Sequence, residues 1–188
     1  MNNKLGTSKL EKLQTIFLYT IFALYLLCLI KLLFLSRISF SELLDSQRVV
    51  TRAFNLVPFH TITDYLFSGT ENAVKFSYAN IQGNIAAFLP LGAFLVLFRS
   101  DKRIRSNLLI VAAASLTTEL IHAILGIGVA DIDDLILNTL GGLLGILGYK
   151  LLLKLLRSEK NVRIAVTAIG IIGLPYLYFV LFVVQLRL

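Results

Sequence analysis

Long apolar blocks run through this sequence, with neither the three-to-four spacing of an amphipathic helix nor the alternation of a half-buried strand. A bilayer core of about 30 Å takes roughly 20 apolar residues of helix. Five blocks reach that length, at 13–35, 79–98, 107–127, 135–153 and 164–186. The pattern predicts an all-α, polytopic integral membrane protein of about five transmembrane helices. It is read as a single domain, 1–188, with one long external loop between helices one and two. The first block follows Lys4, Lys9 and Lys12, as a secretory signal would. Its run from Leu13 to Ile30 is too long for a signal core, and no small-x-small cleavage site follows, so it is read as a span.

Composition agrees. Hydrophobic residues make up 57% of the chain, charged residues 15%, and mean hydropathy is +0.81, against roughly 45–50% apolar and about 25% charged in soluble domains. The net charge of +7 raises nucleic-acid binding, but the basic residues sit at the ends of apolar blocks. Twelve of the 18 Lys and Arg fall on one side: Lys4, Lys9 and Lys12; Arg99, Lys102, Arg103 and Arg105; and Lys150, Lys154, Arg157, Lys160 and Arg163. That side is read as cytoplasmic, facing anionic inner-leaflet lipid, with the N-terminus inside and the C-terminus outside the cell membrane. Lys31, Arg37, Arg48, Arg52, Lys75 and Arg187 share the other face with most of the acids. No nucleic-acid partner is called for. The lone cysteine, Cys28, excludes an internal disulfide framework and a multi-Cys metal site. The loop at 37–78 carries Phe54, Leu56, Val57, Phe59, Ile62, Tyr65, Leu66 and Phe67. That is too many apolar residues for a free tether, and the loop is expected to lie on the membrane surface or partly re-enter it.

Polar residues inside apolar blocks carry the candidate chemistry. Glu119 stands within the third block, where an acid costs about 2.5–3.5 kcal/mol on insertion scales. Ser115 and His122 share its helical stripe. Asp131, Asp134 and Asn138 share a face of the fourth block, continued by Gly141, Gly145 and Gly148, where a neighbouring helix can approach closely. Asp131 also reads as an N-cap, with Asp134 completing a capping-box-like pair. Asn80, Gly83, Asn84 and Ala87 line the second block, and Pro90 is expected to kink it. The orientation places these groups in the external half of the bilayer. Arg52, Asn55 and His60 of the loop enter from that side, with Arg52 the candidate counter-charge to Glu119. The binding set is Arg52, Asn55, Asn84, Glu119, His122, Asp131, Asp133, Asp134 and Asn138. Glu119 and Asp134 are the candidate acid/base groups or ligands for a divalent cation, since carboxylates with Asn suit Mg²⁺ or Ca²⁺.

Four segments together resemble the VanZ-like family of bacterial membrane proteins: RAFNLVPFHTI at 52–62, GNIAAFLPLG at 83–92, ELIH at 119–122 and DIDDLILNTLGGLLG at 131–145. The resemblance is strongest over 48–150. Many members have Gln in place of His122 and Arg in place of Gly128. The resemblance implies a link to lowered susceptibility to teicoplanin-type glycopeptides, and it does not itself imply an enzyme. Three classes of function stay open. The first is a non-catalytic protein that binds or screens a lipid-linked cell-wall component at the outer leaflet. The second is an enzyme acting on an outer-leaflet lipid phosphate or carboxylate. The third is a structural partner of another membrane protein, docking through the glycine face.

Overall fold

The computed structural model describes residues 2–178, apart from 36–37, 39, 46–47, 49, 51 and 68–70. Arg37, Arg187 and the end of the fifth apolar block lie outside the described residues. Among those described, helix dominates: α1 (Asn2–Ile30), running into a π-helical turn (Lys31–Leu35), α2 (Phe40–Leu43), α3 (His60–Phe67), α4 (Glu71–Phe98), α5 (Ile104–Leu125), α6 (Ile132–Leu156) and α7 (Glu159–Tyr178). Four segments are long and apolar enough to cross a bilayer: Glu11–Phe34, Ser77–Phe98, Ile104–Leu125 and Ile132–Leu156. At 1.5 Å per residue, 22 residues of α4 or α5 reach about 33 Å, one hydrocarbon thickness. The chain is a polytopic membrane protein, and four of its five predicted spans are complete helices. The fifth block is helical as far as Tyr178.

The chain forms two compact units, one built on α1 and α7, the other spanning Leu33–Tyr149. In the first, Arg163 Nη1 donates to Thr15 Oγ1 at 3.3 Å, and Gly170 leaves room for Ile21. Contacts that advance together along both helices mean that α1 and α7 run in the same direction.

The second unit rests on close approach of α4 to α6. A Cβ at Gly141 would overlap the carbonyl of Ile85, one at Gly145 that of Leu89, and one at Gly92 that of Gly142. Glycine is required because backbone meets backbone. Gly148 is different: a Cβ there meets nothing within 4 Å. Of the predicted glycine face, Gly141 and Gly145 are therefore spent on α4 of the same chain, while the neighbouring Gly142 makes room for Val111 of α5. Pro90 lies inside α4 without interrupting it. α5 ends at Gly126, whose left-handed φ of 56° lets its N–H return to the His122 carbonyl, a common glycine helix end.

The 37–78 segment is structured where described. Its strand β1 (Ala53–Asn55) pairs in parallel with β2 (Val129–Asp131), with Ala53 opposite Val129 and Asn55 opposite Asp131. Two short strands thus sit in a fold predicted to be all helix. Three residues are too few for period-two alternation to be read from sequence.

Candidate functional site

β2 leads directly into α6, so Asp131 is the last residue before the helix. Its Oδ1 accepts the Asp133 N–H at 2.8 Å, the N-cap bond expected of an Asp there. The return bond of a capping box does not come from Asp134. Glu119 of α5 supplies it, its Oε2 accepting the Asp131 N–H at 3.0 Å. Asp134 points to α4 instead, where Asn84 Nδ2 donates to its Oδ1 at 2.7 Å and to Asn80 Oδ1 at 2.8 Å. One turn further along α6, Asn138 Nδ2 donates to Ser115 Oγ at 3.0 Å. Ser115 and Glu119 of α5 thus meet Asn138 and Asp131 in antiparallel order, while Asn84 ties the third helix to the same turn.

The same acids hold the 53–62 segment. Asp131 accepts Asn55 Nδ2 at 3.2 Å and Thr61 Oγ1 at 2.5 Å, and Asn55 Nδ2 also donates to Thr61 Oγ1 at 2.7 Å. Asp133 accepts the backbone N–H of Phe59 at 2.5 Å and of Ile62 at 3.3 Å. These are donors at the start of α3, groups a helix cannot satisfy itself. Phe59 holds a positive φ of 63°, a conformation unusual for a bulky residue, where the chain turns into α3. An aspartate that opens one helix therefore caps another 71 to 74 residues earlier in the chain.

Glu119 and His122 form the innermost part of this clasp, and both are buried. His122 Nε2 lies 2.9 Å from the Leu33 carbonyl, in the π-helical turn. A carbonyl oxygen only accepts, so Nε2 carries the hydrogen. Nδ1 is then turned to Glu119 Oε2 at 3.6 Å, and it has no hydrogen-bond partner. A proton on either group makes that approach attractive. The Phe34 ring stands edge-on to the imidazole at 5.4 Å. Asn138 Oδ1 is a second buried polar atom without a partner.

Of the residues singled out from sequence, Asn55, Asn84, Glu119, His122, Asp131, Asp133, Asp134 and Asn138 are drawn into this set of contacts. Arg52 and His60 are exposed, and His60 faces Asp64 on its own helix at 3.3 Å. Arg52 does not serve as the counter-charge to Glu119, whose carboxylate meets the Asp131 N–H and His122. Asn55, three residues on, lies opposite Asp131 in the strand pairing. The arginine that does reach this end is Arg48, donating to the carbonyls of Leu125 and Gly126 at 2.5 and 2.6 Å. It neutralises the exposed end of α5, where the helix dipole is negative. Neither Arg48 nor Thr61 stands out in the sequence pattern, although Thr61 lies within the RAFNLVPFHTI segment. Among the described residues, no group of three or more His, Cys, Asp and Glu could hold a metal ion.

These contacts join the four sequence segments noted above into one structural element. A profile described as VanZ/LLP1 matches residues 22–154. The chain belongs to the VanZ/LLP1 family. It is also similar to "Protein VanZ" of Enterococcus faecium, at 31% identity over 144 residues, which cover 77% of this chain and 80% of that protein. No solved structure matches. Every hydrogen bond of the clasp described above has both partners within the VanZ/LLP1 match, so the family region is also the fold unit that carries the polar cluster.

Proposed function

We propose that the protein binds a lipid-linked component of the bacterial cell envelope at the outer leaflet, and that through this binding it affects susceptibility to teicoplanin-type glycopeptides. The orientation belongs to the same reading: N-terminus cytoplasmic, C-terminus external, with the clasp at the outer face. Twelve of the 18 Lys and Arg support it, as does the parallel run of α1 and α7.

One observation carries the binding role. Asn138 Oδ1 and His122 Nδ1 are buried without partners, in a cluster whose other polar groups are bonded. An unmet buried polar atom is costly, about 1–3 kcal/mol. A ligand that brings a hydrogen-bond donor recovers that cost.

A catalytic reading is favoured by a different observation, the approach of Glu119 Oε2 to His122 Nδ1 at 3.6 Å. An acid beside a base is the arrangement that proton transfer requires. One experiment separates the two: untargeted lipid analysis of a deletion strain, complemented with wild type, Glu119→Gln or Glu119→Leu. Binding predicts an unchanged lipid profile with altered glycopeptide susceptibility. Catalysis predicts a lipid species that accumulates or disappears, restored by wild type and not by Glu119→Gln. An unaltered strain by both measures contradicts both readings. Glu119→Gln keeps an acceptor for the Asp131 N–H, so its stability should stay near wild type, whereas Glu119→Leu strands that N–H.

A further inference from the structure

The 53–67 segment has two unlike sides. One side is consumed by the clasp: Asn55, Thr61 and the N–H groups of Phe59 and Ile62 all bond to Asp131 or Asp133. The rest is uncovered and carries large apolar side chains alongside the exposed His60–Asp64 pair. Phe54 is 61% exposed, Leu56 71% and Phe67 83%, with Phe59 also exposed. Strand geometry produces the division at its start, because successive residues point to opposite faces. Asn55 reaches Asp131, so Phe54 is turned away.

Large aromatic and aliphatic side chains exposed together along a segment whose polar groups are engaged elsewhere mark an interaction surface. Its level in the molecule identifies the occupant. Asp131 and Asp133 are the residue before α6 and the second residue of α6, and α6 is a membrane-crossing helix. Bonds to those two residues hold the segment where the hydrocarbon begins. The strap is also tied to a second membrane-crossing helix: β1 pairs with β2, and β2 packs on α5, whose last turns expose Leu120 and Ile124. We propose that residues 53–67 form a strap immersed in the interfacial layer of the leaflet on their own side. Their partner is the lipid surface itself, in the manner of an amphipathic segment lying in the membrane plane. Carboxylates at the head of α6 hold the strap from below while its apolar side chains enter the lipid. This surface is distinct from the buried cluster, and the proposal stands or falls independently of what that cluster binds.

The chain contains no tryptophan, so each introduced indole reports alone. The full chain carrying Phe54→Trp, Leu56→Trp or Phe67→Trp is reconstituted in phosphatidylglycerol and phosphatidylcholine vesicles. Bromine on the acyl chains is placed near the headgroup, placed near the chain end, or omitted. Ser100→Trp, exposed in the α4–α5 turn, is the water-facing reference. The strap positions should emit to the blue of Ser100→Trp and lose most of their emission to the shallow bromine, with less loss to the deep one. Emission matching Ser100→Trp and insensitive to bromine overturns the proposal. Stronger quenching by the deep bromine also overturns it, because the segment would then re-enter the bilayer. Blue emission that appears only on adding native membrane protein would assign the face to a protein partner. Three separate positions keep the test decisive if one variant fails to fold.

Discussion

The two ends of the Leu33–Tyr149 unit solve the same problem in opposite ways. At the α4–α5 turn, polar groups are satisfied locally. Lys102 Nζ donates to the carbonyls of Val96 and Leu97 at 2.6 and 3.4 Å, and Arg99 bonds Asn107 at 2.9 Å. Arg103 donates to Asp101 from both its side chain and its backbone N–H. Partners there lie two to eight residues apart, and the Asp101–Arg103 pair faces water. At the clasp, Asn84, Asn55, Thr61 and the α3 backbone find partners 50 to 76 residues away, and most of the acids involved are buried. Among the described residues, no Lys or Arg is seen to pair with Glu119 or to take part in the hydrogen bonds described for Asp131, Asp133 and Asp134. Backbone N–H groups, amides, a hydroxyl and a histidine do that work. The turn is held by contacts that any short helical hairpin can form. The clasp exists only when three helices and the strap are already in place, so it reports on tertiary assembly rather than local folding.

The largest effect is expected where α4 and α6 are forced apart. Gly141→Leu and Gly145→Leu each drive a side chain into a facing carbonyl, which no rotamer change relieves. The expected loss is at least about 1–3 kcal/mol, the range for overpacking, seen as a fall in detergent yield and thermal stability. The Asn84–Asp134 bond, dependent on the same approach, should go with it. Gly148→Leu, with open space around it, is the matched control and should remain near wild type. Equal stability of all three variants would mean that the helices do not approach as described.

A smaller effect is expected from Asp133→Ala, which leaves the Phe59 and Ile62 N–H groups without their acceptor. These donors are part-buried, so the cost should fall at or below the roughly 1–3 kcal/mol of a fully buried unmet donor, localised here in α3. Limited proteolysis should cut residues 53–67 faster, while the four spans keep their protection. A uniform loss of protection would show that the strap and helices are one cooperative element.

The smallest effect belongs to the turn. The Arg103 side-chain hydrogen bonds, with its backbone N–H, hold the Asp101 carboxyl well below the usual carboxylate range. A carboxyl lowered on folding adds stability above its unfolded value, and that stability is lost as pH falls through the lowered one. The contribution is therefore complete at neutral pH and disappears only in strong acid. Because the pair is open to solvent and screened by salt, Asp101→Asn should leave the neutral melting temperature within experimental scatter. A large drop would mean that the turn is not the locally satisfied end described here.

The sequence showed the spans clearly, since a block of 20 apolar residues has few other uses, and four predicted blocks match the membrane-crossing segments within a few residues. It also pointed to most of the polar cluster, because Glu119, Asp134 and Asn138 are conspicuous in apolar helices. It did not show who meets whom. Glu119 was expected to need Arg52 but meets a backbone N–H, a donor present at every residue and so invisible as a signal. Asp133, adjacent to the face shared by Asp131 and Asp134, caps α3, a helix of eight residues that is too short to stand out within the 37–78 loop. Gly148 continued the glycine spacing but falls where no helix opposes it, which periodicity along one helix cannot reveal.

Joining the two strands covalently tests whether the strap is pinned to the head of α6. Ala53→Cys and Val129→Cys are introduced in a Cys28→Ser background, which leaves no other cysteine. Paired residues on neighbouring strands lie within the Cα separation a disulfide spans, about 4.4–6.8 Å. The protein is oxidised in membranes and then cleaved in the 99–103 turn. The account predicts fragments that stay joined until reductant is added, with no such link between Ala53→Cys and Gly148→Cys. Fragments that separate without reductant would contradict it.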